Sequence, residues 1–98
     1  MHRLVVAIAA ATALGACGMS PPKATPADAQ RGSVQLAELQ DGRTLMVRKC
    51  GACHAPPLPG EHAAVEWPAK LDEMADRSKL DPKQRYLIQQ YFVVMAAR

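Results

Sequence analysis

Aromatic side chains are scarce in this chain of 98 residues: Trp67, Tyr86, Tyr91 and Phe92 are all it has. So short a chain makes one small domain, and domains of that size usually add a disulfide, a metal or a cofactor to a core that is too small. Three cysteines are an odd number, which does not suit a framework built of disulfides alone. No stretch alternates apolar and polar residues as a half-buried strand does, which excludes a sheet. No apolar run reaches the roughly 20 residues that a membrane-spanning helix needs. Charge is nearly balanced, at net +3 with 12 basic and 9 acidic side chains, and gives no reason to expect nucleic acid.

What is present begins at the amino terminus. Met1, His2 and Arg3 precede an apolar run over residues 4–14, followed by Leu14-Gly15-Ala16-Cys17. A basic start, a short apolar stretch and small residues have the layout of a secretory signal peptide. Leu14-Gly15-Ala16-Cys17 resembles the lipobox of bacterial lipoproteins, which implies a signal peptide of residues 1–16, cleavage before Cys17 and lipid on that cysteine. Ordinary cleavage after Ala13 is the alternative and would leave Cys17 a thiol. Several acyl chains, at about 0.8 kcal/mol per buried methylene, would make attachment permanent. Gly18, neither Asp nor Lys, resembles the outer-membrane default of such lipoproteins. Residues 17–33 are rich in Pro, Ala and small polar side chains and lack apolar periodicity, so a flexible tether is expected there.

Helical patterning starts after it and defines a domain over residues 34–98. Leu36, Leu39, Leu45 and Met46 space apolar groups along residues 34–50, with Asp41 and Gly42 either starting the main helix or interrupting it. A second helix is expected over residues 67–75, with Pro68 in its first turn and Leu71 and Met74 on one side. A third begins at Asp81, a suitable N-cap, or at Pro82, and carries Leu87, Ile88, Tyr91, Val94 and Met95 at helical spacing. The class is all-α. Residues 55–66, rich in proline, form an irregular loop about as long as a compact domain tolerates without a function for it.

The chemistry gathers at Cys50-Gly51-Ala52-Cys53-His54. Two thiols three residues apart at a helix end can each add to one vinyl group of a single porphyrin, and the next imidazole can turn beneath the ring toward iron; in an exported chain this is the c-type haem attachment motif. A disulfide would not need His54, a thioredoxin-like pair would want a βαβ setting, and a zinc ion would need two further good ligands where only His62 remains. The expected cofactor is therefore one covalent haem c, held by Cys50 and Cys53 with His54 on the iron.

With these residues in view, Gly42 to His54 is similar to the first helix and attachment site of the small class I cytochromes c, including the glycine eight residues ahead of the first cysteine. Met74, then Leu80-Asp81-Pro82-Lys83-Gln84 and Ile88-Gln89-Gln90-Tyr91-Phe92, looks like that family's ligand methionine and terminal helix. The resemblance implies a helical domain wrapped round one haem, with the terminal helix packed on the first helix near the glycine. It departs from fuller members in the short interval between His54 and Met74. Met74 is the favoured sixth ligand, since His/Met ligation is usual in cytochromes c, and His62 is its rival; Met46 and Met95 read as core. The carbonyl of Pro56, Pro57 or Pro59 is expected to fix the His54 ring. Trp67 reads equally as apolar wall or as a propionate partner, and Arg43, Arg48 and Lys49 as a basic rim that would steer acidic redox partners.

The expectation is a monohaem cytochrome c, tethered to the membrane and facing the periplasm, that carries single electrons and is not an enzyme. A haem-based sensor or gas binder with a labile sixth ligand, and a haem subunit of a larger oxidoreductase, are the alternatives. The haem is expected to supply the apolar bulk that the side chains lack.

Overall fold

The structure, a computed structural model, describes residues 20–52 and 54–98. The expected signal peptide, Cys17 and Cys53 lie outside the described residues. Four α-helices are present: α1 (Pro26–Gly32), α2 (Leu36–Cys50), α3 (Trp67–Ser78) and α4 (Pro82–Ala96). Two 3₁₀ turns, Pro59–Glu61 and Ala64–Glu66, lie between α2 and α3. Among the described residues there is no strand, and no helix is long and apolar enough to cross a membrane.

Helix α2 runs unbroken through Asp41 and Gly42. Leu39, Gly42, Met46 and Cys50, three or four residues apart, form its buried stripe. Gly42 sits where α2 crosses α4: a Cβ at that position would run into the Leu87 carbonyl oxygen and lie 3.1 Å from Tyr91 Cβ. The small residue therefore sets how closely the two backbones approach, at a cost of roughly 0.5–1 kcal/mol in helix propensity. Helix α4 starts as its sequence demands. The Asp81 carboxylate accepts from the Gln84 backbone N–H at 2.7 Å, the Gln84 side chain accepts from the Asp81 N–H at 3.1 Å, and Pro82 opens the helix.

The core is built of large aromatic and aliphatic side chains. Trp67, Tyr91, Phe92, Leu39, Met46, Leu71 and Ile88 are fully buried, and the Trp67 and Phe92 rings stack with centroids 3.9 Å apart. Each large side chain so buried contributes about 1.5–3 kcal/mol.

The larger departure concerns the tether. Residues 17–33 were expected to be flexible, yet α1 lies inside that range and is docked. Thr25 caps it, with the Asp28 carboxylate accepting from Thr25 N–H at 2.8 Å, and Pro26 occupies its first turn. Seven residues do not hold a helix in water by themselves. Here Ala29 packs with Leu39 and Val94 in a second small core, and buried Asp28 accepts from Arg31 at 3.0 Å and from Arg98 at 2.8 and 3.0 Å. The residues ahead of α1 are strapped down too: Pro21 is buried, Arg43 Nε donates to its carbonyl at 2.9 Å, and the Tyr91 hydroxyl donates to the Pro22 carbonyl at 2.6 Å.

Candidate haem attachment site

Cys50 is the last residue of α2 and is buried, 4% exposed, within the main core beside Met46, Trp67 and Leu71. Arg48 and Lys49 occupy the same final turn, where cations complement the carbonyl end of the helix. The chain then leaves the helix and places His54 on the surface. Its Nδ1 lies 2.7 Å from the Ala55 carbonyl oxygen. A carbonyl can only accept, so this bond assigns the proton to Nδ1 and leaves the Nε2 lone pair for a metal. The carbonyl is that of Ala55, one residue ahead of the expected prolines. Pro59, one of those prolines, gives its carbonyl instead to the Trp67 indole N–H at 2.9 Å.

Met74 stands on α3, one turn beyond Leu71, half-buried against the main core. Cys50, His54 and Met74 line one cavity of about 130 Å³, together with Lys49, Arg77 and Ser78. The thiol and imidazole of one motif and the thioether of a separate helix thus line the same cavity. His62 is not among the residues that line this cavity. Its ring stands edge-on to Trp67 with centroids 5.0 Å apart, and its Nδ1 lies 3.6 Å from a Glu66 carboxylate oxygen. Met46 is fully buried in the core, and Met95 is buried there with it.

Two other expectations change. Trp67 is fully buried and its N–H is taken by Pro59, so it is wall rather than a propionate partner. Arg43 turns away to Pro21, and the cation that joins Lys49 at the cavity is Arg77 from α3. Arg77 was missed because its place beside Lys49 is set by the packing of α3, which no spacing in the sequence records.

The donor set fits an iron porphyrin: one imidazole with Nε2 free of the Ala55 bond, one thioether, and a cysteine on the same wall. The enclosed volume is below the 300–1,000 Å³ usual for ligand pockets. Seating a porphyrin between these groups therefore requires the wall to open. Gly51, Ala52, His54 and Ala55 are exposed and Pro56 and Pro57 only half-buried, so the chain beside His54 has little packing to lose. No protein family, curated protein or solved structure matches the chain.

Proposed function

We propose that this chain is a lipid-anchored monohaem c-type cytochrome that passes single electrons between redox proteins on the periplasmic side. The observation that carries the reading is the shared cavity of Cys50, His54 and Met74. Cys50 and Cys53 would hold the porphyrin through thioethers, His54 through Nε2 and Met74 through sulfur. When bound, haem supplies a one-electron couple whose potential depends on its axial ligands and the polarity round it. The chain's own work is to position. Helix α2 presents Cys50 at its end, the Ala55 carbonyl orients the imidazole, and Leu71 on α3 anchors the turn that carries Met74. Lys49 and Arg77 at the opening favour an acidic partner surface and would make association depend on salt. No group in this scheme acts as a catalytic acid or base.

Absorption spectra of the intact exported protein, oxidised and reduced, test the reading together with its mass. Covalent haem and a low-spin spectrum are expected in both states. In Met74→Ala the reduced iron should turn high-spin and the potential should fall, because thioether ligation raises it. A protein without covalent haem overturns the proposal. An unchanged low-spin spectrum in Met74→Ala removes Met74 as ligand. A high-spin reduced spectrum in the unmodified protein favours the gas-binding alternative.

A further inference from the structure

A short leash fixes orientation where a long one leaves it free. If Cys17 carries lipid, as the proposed function holds, the distance from Cys17 to the first residue held by the domain decides which case applies. The described chain begins at Ser20, and the strapping contacts start at once: Pro21 and Pro22 receive bonds from Arg43 and Tyr91, and Arg98 Nη2 donates to the Lys23 carbonyl at 3.3 Å. Two residues, Gly18 and Met19, separate Cys17 from Ser20, a span of at most about 10 Å. A tether of roughly 16 residues would have allowed a few times that.

Ser20 also lines a second cavity. This open groove of about 500 Å³ is walled by Ser20, Pro22, Leu58, Gly60 and Met95, with Glu61 and Arg98 as its charged members. It shares no lining residue with the Cys50, His54 and Met74 cavity. Lys23 beside it is exposed, and Arg98 remains 44% exposed while holding Asp28. An apolar groove with exposed Lys23 beside it, Arg98 being paired with Asp28, suits the headgroup boundary of an anionic bilayer, where a nearby cation adds attraction.

We propose that the membrane itself is the occupant of this face: the lipid on Cys17 holds the Ser20, Pro22, Leu58 and Met95 groove against the bilayer, so that the domain sits on the membrane in one orientation instead of swinging on a tether. The haem cavity, built from other residues, is left for redox partners. This inference rests on the lipid-anchor part of the proposed function and is independent of the haem.

The test compares the purified full-length lipoprotein with a variant carrying about 12 Gly/Ser residues between Met19 and Ser20, which adds roughly 20 Å of reach. Both are reconstituted in vesicles of phosphatidylethanolamine and phosphatidylglycerol, and amide hydrogen exchange is read by mass spectrometry. The native-length protein should exchange about threefold or more slowly in peptides covering residues 58–62 and 92–98 than the spacer variant does, with equal exchange in residues 76–86. Equal exchange throughout, with lipid confirmed on Cys17 in both proteins, overturns the orientation alone. A mass that shows no lipid on Cys17 overturns the anchor reading and the orientation with it.

Discussion

Two segments rich in proline and alanine, residues 20–33 and the start of the loop after Cys50, use their polar groups differently. Residues 20–33 are tied to α2 and α4 by side chains from distant parts of the chain: Arg43, Tyr91 and Arg98 bond Pro21, Pro22, Lys23 and Asp28. The loop after Cys50 exposes Gly51, Ala52, His54 and Ala55, and His54 bonds only its neighbour's carbonyl. The first segment spends its polar groups on holding the fold. The second keeps an imidazole uncommitted at Nε2, which a ligand needs and a structural residue does not. The comparison separates residues that stabilise from residues held ready, and substitutions can break it.

Asp28→Ala should have the largest effect. It leaves Arg98 and Arg31 facing an emptied pocket, and removal of one member of a buried ion pair costs about 3–5 kcal/mol; both arginines here reach solvent, so about 3 kcal/mol is expected in urea unfolding, with α1 released. The same carboxylate predicts acid lability. Bonding from Arg98, then from Thr25 and Arg31, holds its pKa well below the usual carboxylate range, against the opposing pull of burial. The unfolded chain therefore binds the proton first. Stability from this group is complete above pH about 4 and is lost as pH falls below that value. Asp28→Asn should flatten that acid slope in a pH series of thermal melts. An unchanged slope would mean that the strap is not what acid breaks.

Tyr91→Phe should cost less, about 1 kcal/mol, since it deletes one hydrogen bond to the Pro22 carbonyl and leaves the ring packed at Gly42. Burial pushes the Tyr91 hydroxyl up to about 12, with Arg43 and Arg98 pulling the other way. Its contribution is thus present below pH about 10 and lost as pH rises through 12, and the phenylalanine variant should lack that alkaline loss.

The two segments also mark what could be read from sequence and what could not. Asp81-Pro82-Lys83-Gln84 and Thr25-Pro26-Ala27-Asp28 carry the same kind of start signal, and both are capping boxes in the structure. The first was legible because Leu87, Ile88 and Tyr91 follow it at helical spacing. The second was not, because α1 has only Ala29 to bury, and its stabilising partner is Arg98, 70 residues away. Gly42 was legible as a likeness but not as a contact until Leu87 was seen against it. At the candidate site, Cys50 and His54 were singled out by residue type and spacing and Met74 with the help of a family likeness, and the structure brings the three to one cavity. Ala55 was not, because any backbone carbonyl serves and only the local turn decides which one is in reach.

The smallest expected effect on stability falls on His54, the residue to which the proposed function gives the iron. His54→Ala removes an exposed side chain bonded to an adjacent carbonyl, so residues 20–98 made in the cytoplasm, where the proposed haem would not be attached, should unfold within about 0.5 kcal/mol of the parent. The core of Trp67, Phe92 and Ile88 does not depend on that ring. In the exported protein the same substitution should abolish the low-spin spectrum, because Nε2 has no substitute at that position. A large loss of stability in the haem-free chain would place His54 with the strapped residues, and the division between the two segments would fail at its most informative position.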